Sequence, residues 1–109
     1  MLMRMNRFEL EIVYAIAKHH PALNSALDSL VVMSRENTGT GTFTKFEPLQ
    51  NPINSAVQIL DLHGTIDLPN GVQLSAHIEM KTGIPQCLEV CCLSSGGWDG
   101  NYANFRICN

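Results

Sequence analysis

The alternation of apolar and polar side chains from Leu60 to Met80 constrains the fold more than any other feature of this sequence. A turn signal, Pro69-Asn70-Gly71, divides the segment into two halves that share one apolar parity. Successive side chains of a strand point to opposite faces, so a one-residue slip in the pairing would place leucines against charged groups. The pattern therefore predicts two antiparallel strands. The predicted pairs are Leu68 with Val72, Ile66 with Leu74, and Leu62 with Ile78.

A further strand is expected directly after this pair, in the segment QCLEVCCLS at residues 86–94. If the loop before it spans residues 81–85, the parity argument places this strand antiparallel to its predecessor as well. The predicted pairs are Leu88 with Ile78 and Val90 with Ala76. The cysteines of the strand then divide between its faces, Cys92 toward the core and Cys87 and Cys91 outward with Glu89.

Two helices are expected before the strands. Apolar residues recur at helical spacing from Met5 to about Lys18, and residues 21–29 could form a second short helix. The segments LVVMSREN and GTFTKFE favour two strands joined by a turn, and PLQNPINS favours a loop. We predict one α+β domain over residues 1–109, with one or two N-terminal helices packed on a five- or six-stranded antiparallel β-meander.

Composition and charge argue against several classes of protein. Hydrophobic residues make up 45% of the 109 residues and charged residues 16%, which is typical of a folded globular domain. The net charge is −3 and the basic residues are spread along the chain, so no surface for nucleic acid is expected. No apolar run reaches the roughly 18 residues that span a bilayer. We therefore expect a cytoplasmic protein with reduced cysteines and no membrane partner.

The predicted registers place a row of polar side chains on the outward sheet face. His63 would lie opposite His77, and His77 opposite Glu89. Opposed β-carbons are about 4.5–5.5 Å apart, close enough for imidazole and carboxylate groups to share a zinc ion. The alternative is a solvated polar face that binds no metal. Both interpretations remain open at this point.

The cysteines lack the spacing of known thiol sites. No Cys-x-x-Cys pair is present, which argues against a structural zinc knuckle or a thioredoxin-like redox centre. His77 could act as a base for Cys91, but nothing in the sequence supplies an oxyanion hole. We therefore predict no catalytic residue and a protein that is not an enzyme.

The segment SSGGWDGNY, residues 94–102, combines glycines with two aromatic residues. Aromatic side chains exposed on loops often anchor a partner, so Trp98, Asp99 and Tyr102 are candidate partner-binding residues. The alternative is that Trp98 folds back and caps one end of the sheet.

Three segments resemble a family of short bacterial α+β proteins that have no assigned reaction. The segments are VVMSRENTGTGTFTKF, GTIDLPNGVQLSAHIEMKTGIPQCLEV and the trailing GGW, within residues 31–107. The family pattern runs Arg-Glu-x-Thr-Gly-x-Gly-Phe, then a β-meander ending in Leu-Glu, then a glycine-containing loop with tryptophan. The matching residues are Arg35, Glu36, Thr38, Gly39, Gly41, Gly71, Gly83, Leu88, Glu89 and Trp98.

The sequence departs from that pattern at two places. Thr42 stands where the family has an aromatic residue, and VCCLS replaces a Gly-Tyr-Thr-Tyr-like stretch. Proteins of this type often occur beside bacterial toxin genes, so the resemblance implies an immunity protein that covers the active site of a cognate toxin. The expected alternative is a protein that binds a metal or small ligand through His63, His77 and Glu89. An exposed edge strand could also pair two copies into a homodimer.

Overall fold

The computed structural model describes residues 3–47, 57–81 and 83–109, and the predicted loop PLQNPINS lies outside them. The predicted α+β class with an antiparallel sheet is confirmed, but the described part holds seven strands instead of five or six. The elements are α1 (Arg7–Ala17), a 3-10 helix (Pro21–Ser29), β1 (Val32–Asn37), β2 (Gly41–Phe46), β3 (Val57–Asp61), β4 (Thr65–Asp67), β5 (Gln73–Lys81), β6 (Ile84–Cys92) and β7 (Arg106–Cys108).

Helix α1 begins at a capping box. The Asn6 side chain accepts a hydrogen bond from the Glu9 backbone N–H, and the Glu9 carboxylate accepts one from the Asn6 backbone N–H. Phe8, Ile12 and Ile16 form the buried stripe that the helical spacing predicted. Glu9 adjoins this stripe, so its carboxylate also faces the sheet, where it contacts Thr44.

The strand order is β1-β2-β6-β5-β4-β7, with β3 also paired to β5. The predicted meander is therefore wrong for the first hairpin, because β2 pairs with β6 and not with the next strand in the chain. β3 and β4 lie one after the other along β5, on the side away from β6. Among the described strands β3 pairs with β5 alone, so edge pairing between two copies stays a prediction.

The predicted register between β5 and β6 is confirmed: Leu88 lies opposite Ile78 and Val90 opposite Ala76. Close to the turn the pairing shifts by one residue between Glu79 and Met80, which the sequence analysis did not anticipate. The register of β4 is also as predicted, since Ile66 lies opposite Leu74.

The predicted register is wrong for β3. Leu60, and not Leu62, lies opposite Ile78, a shift of two residues relative to the register of β4. The shift keeps leucines on the core face, so the parity argument could not detect it. It arises between β3 and β4, where Gly64 adopts a φ of +133°.

The core lies between the helices and one face of the sheet. Ile12 and Ile16 of α1 and Leu23 of the 3-10 helix belong to one hydrophobic cluster with the inward residues of the central strands. Those strand residues are Phe46, Leu74, Ala76, Ile78, Leu88 and Val90. The helices thus cover one face, and we call the opposite one the outer face. Among the described residues the outer face carries no fully buried side chain.

Candidate functional site

The outer face holds two of the three predicted row residues in contact. His77 Nε2 lies 3.0 Å from Glu89 Oε2, and the two side chains are 26% and 31% exposed. Next to them the Cys91 thiol donates to the other oxygen of Glu89, with a sulfur–oxygen distance of 3.2 Å. Burial and this hydrogen bond raise the pKa of Cys91 to about 11. The thiol therefore stays protonated near neutral pH, where a nucleophile would need the thiolate.

The third predicted row residue, His63, lies elsewhere. The shifted register of β3 puts Asp61 opposite His77 in the place predicted for His63. The His63 ring stacks on His19 with centroids 4.1 Å apart and meets His20 edge-on at 5.7 Å. The predicted opposition of His63 and His77 is thus wrong, because the break between β3 and β4 carries His63 out of the row.

Zinc binding at the row would need a ligand other than His63. In residues 3–47, 57–81 and 83–109, no three His, Cys, Asp or Glu side chains are grouped so as to hold a metal ion. His77 and Glu89 supply two neighbouring metal-ligand atoms, and these two atoms are already in contact with one another. The geometry of the row therefore favours a histidine–carboxylate contact on a sheet surface over a zinc site.

The outer face combines apolar side chains with an excess of carboxylates. A hollow of about 340 Å³ opens on it, lined by Met33, Phe43 and Lys45 of the first hairpin and by Glu79 and Cys87 among others. The outward carboxylates are Glu36, Asp61, Asp67, Glu79 and Glu89, against the cations Lys45, Lys81 and Arg106. The described outer face is therefore acidic.

The pKa of the Cys87 thiol is raised by burial and by this excess of negative charge. Burial raises its pKa first, and the neighbouring carboxylates Glu79 and Glu89 raise it further, to about 11. Lys45, which lies opposite Cys87, lowers it only in part. The electrostatic potential beside Cys87 is therefore negative, which attracts a cation that approaches the hollow.

A second concave surface lies on the helix side of the sheet. This cleft of about 260 Å³ is lined by the start of α1, by β1, β2 and β6, and by the loop after β6. Its floor includes the apolar residues Leu88 and Val90, and its walls include the aromatic residues Phe8, Trp98 and Tyr102. Phe8 and Tyr102 stack with ring centroids 4.3 Å apart.

An ion pair between a buried carboxylate and a partly exposed guanidinium lines the cleft. Glu9 is only 4% exposed, and its carboxylate accepts from Arg35 Nε and Arg35 Nη2, both at 2.7 Å. It also accepts from the Thr44 hydroxyl and the Asn6 backbone N–H, both at 2.8 Å. Burial alone would raise the pKa of Glu9, but these bonds outweigh it and leave the pKa below its ordinary value.

Several residues of the resemblance pattern have structural roles around this cleft. Arg35 holds Glu9, and the Gly39 carbonyl accepts from the Trp98 backbone N–H at 3.1 Å. A β-carbon at Gly97 would lie 2.9 Å from the same carbonyl oxygen, so the Gly-Gly-Trp loop docks closely on the turn between β1 and β2. A β-carbon at Gly41 would collide with the Val90 carbonyl. The two halves of the pattern therefore meet in space.

The three predicted partner-binding residues lie along this loop, but not as one exposed patch. Trp98 is 4% exposed and its Nε1–H donates to the Asn101 carbonyl at 2.9 Å, which matches the alternative of an inward-folded tryptophan. Asp99 is exposed, and Tyr102 stands at the rim with 36% exposure. Trp98 is therefore part of the cleft wall and not a surface anchor.

Glu9 was missed by the sequence reasoning, although two signals pointed to it. It stands three residues after Asn6, the spacing of a capping box, and it adjoins the apolar stripe of α1. Its partner Arg35 is 26 residues away in the chain, a distance over which no local pattern operates.

No helix in the described part of the chain is long and apolar enough to cross a membrane. Comparisons with protein-family models, with curated proteins and with solved structures found no significant match to this chain.

Proposed function

We propose that this is a non-catalytic protein-binding protein, and that its outer face covers a basic surface of the partner. The observation that carries the proposal is the outer face, which neither described helix covers and whose hollow combines Met33 and Phe43 with the carboxylate of Glu79. A lysine or arginine of a partner could lay its aliphatic stem on the two apolar side chains and bring its charged end to the carboxylate.

The charges of the outer face favour a basic partner over an acidic one. Carboxylates outnumber cations on the face, and the whole chain carries a net charge of −3. Complementary charge speeds association and suppresses unsuitable partners, while apolar contacts supply most of the affinity. Exposed Val57 and Ile59 on β3 extend the apolar area at the edge of the face.

The partner class that we propose is a bacterial toxin, so the protein would act as an immunity protein. The support is the resemblance in the segments around Arg35, Gly71 and Trp98. A stoichiometric cover over a toxin's active site needs a stable surface and no chemistry of its own. The protonated state of the Cys87 and Cys91 thiols fits such a role, since both pKa values lie at about 11.

The test is titration with the protein encoded beside this gene. Calorimetry should give one-to-one binding, and binding should abolish the toxic activity. Glu79→Lys combined with Glu89→Lys should weaken binding at least about tenfold, because two of the five carboxylates of the outer face become cations. The matched control is Glu11→Lys on the exposed side of α1, which should leave the affinity unchanged. Equal weakening by both variants would place the interface elsewhere, and no binding would refute the proposal.

A further inference from the structure

The cleft beside α1 contains hydrogen-bond donors that have no oxygen acceptor among the described residues. Arg35 Nη1 contacts only the sulfur of Met3, a weak acceptor, at 3.3 Å. The Tyr102 hydroxyl accepts from Asn6 Nδ2 at 3.3 Å and keeps its own hydrogen to donate. Asn37 uses its side-chain oxygen for the Gly39 backbone N–H, which leaves its amide N–H groups.

The acceptors of the cleft are already engaged. Both oxygens of Glu9 accept two hydrogen bonds each. The side-chain oxygens of Asn6 and Asn37 accept backbone N–H groups. Glu36 contributes to the lining, but strand alternation sends its side chain to the outer face, since its neighbour Arg35 points inward. The cleft therefore offers donors to a ligand and few acceptors.

The rest of the cleft lining is mostly apolar and suits an aromatic ring. Leu88, Val90, Phe8 and Trp98 close the bottom of the cleft and are at most 4% exposed, and the ring of Tyr102 stands at its rim with 36% exposure. Its volume of about 260 Å³ lies just below the roughly 300–1,000 Å³ of typical ligand pockets, which limits a ligand to about one aromatic ring.

We propose that this cleft binds an aromatic carboxylate, with the ring in the apolar part of the cleft beside Tyr102 and the carboxylate facing Arg35 Nη1 and the Tyr102 hydroxyl. The guanidinium can serve two carboxylates, because Nε and Nη2 hold Glu9 while Nη1 contacts only the Met3 sulfur, which a carboxylate oxygen would replace as the acceptor. The carboxylate can belong to a free small acid or to a chain terminus that ends in an aromatic residue. This site is separate from the outer face and independent of the proposed partner.

The test uses phenylacetate as the probe and phenylacetamide as its neutral isostere. Trp98 is the single tryptophan of the chain, so its fluorescence reports on the cleft. Phenylacetate should bind with a Kd below about 1 mM and roughly tenfold tighter than the amide. Shifts in a ¹H–¹⁵N spectrum of the unaltered protein should include the Arg35 Nε–H and Trp98 Nε1–H signals.

Two variants and one control localise the binding. Tyr102→Phe removes the hydroxyl donor and keeps the ring, and Thr42→Phe narrows the cleft from β2. Both should weaken phenylacetate binding by at least about threefold, whereas His77→Ala on the outer face should not. If a variant fails to fold, the spectral shifts of the unaltered protein still decide the location.

A peptide arm distinguishes the two sources of the carboxylate. Acetyl-Gly-Gly-Phe with a free terminus that binds tighter than phenylacetate supports a chain terminus, and weaker binding supports a free acid. Equal binding of acid and amide, shifts confined to other surfaces, or no binding at about 5 mM phenylacetate would overturn the proposal.

Discussion

Removing the guanidinium of Arg35 should destabilise the fold severely. Arg35→Met keeps an aliphatic stem but leaves the Glu9 carboxylate, which is 4% exposed, with two hydrogen bonds instead of four. Two charge-assisted bonds at about 1.5–3 kcal/mol each give a loss of roughly 3–6 kcal/mol. Removing the partner of a buried charge costs about 3–5 kcal/mol, which agrees, because Glu9 is the buried member of this pair. We expect a loss of about 4 kcal/mol, against a total of about 5–15 kcal/mol for a domain.

Urea unfolding followed by circular dichroism at pH 7 measures this loss. With a slope of about 2 kcal/mol per molar urea, the midpoint should fall by about 2 M. The control is Arg7→Met, which removes an exposed pair with Glu11 and should cost less than about 0.5 kcal/mol. A double-mutant cycle with Glu9→Gln should give a coupling energy of at least about 1.5 kcal/mol. A loss below about 1 kcal/mol in Arg35→Met, or no coupling, would refute the reasoning.

The same pair predicts a pH dependence. The pKa of Glu9 in the folded protein lies below its ordinary value of 4.5, so its contribution to stability is present above about pH 4.5 and is lost as the pH falls through the folded pKa. In Arg35→Met, burial still raises the pKa of Glu9, but only two of the four hydrogen bonds that lower it remain. The pKa should therefore rise above the ordinary value. The stability gap between the two proteins should therefore narrow from pH 7 to pH 4, and a constant gap would contradict this account.

Three further outcomes are expected from single positions. Gly41→Ala should cost at least about 2 kcal/mol in urea unfolding, because its β-carbon would collide with the Val90 carbonyl; a neutral effect would show that the strands can separate there. Asn6→Ala should cost about 1 kcal/mol by removing the cap of α1, and Asn6→Gly much less. Alkylation of Cys87 by iodoacetamide, followed by mass spectrometry, should be slower than that of glutathione at pH 7.5 and rise toward pH 11; fast reaction at pH 7.5 would contradict the pKa of about 11.

The candidate sites were predictable only where the relevant contacts are local. His77 and Glu89 meet as expected, because the register of β5 and β6 follows from alternation across one short connection. His63 does not join them, because β3 is shifted by two residues relative to the predicted register. A shift of two keeps the same residues on the core face, so the alternation of apolar and polar residues cannot reveal it. The Glu9 and Arg35 pair joins a helix to a strand, and neither residue identifies the other in the sequence.

The sequence by itself determined the α+β class, the division of the central strands into two faces, and the pairing of β5 with β6. These properties depend on side-chain periodicity and short connections, which act over a few residues. Tertiary structure decided that the first hairpin joins the sheet beside β6, that Trp98 turns inward onto Gly39, and that His63 leaves the outer face. Those outcomes depend on how the helices and strands share one core, because burial of apolar area is non-directional and does not specify which distant strands become neighbours.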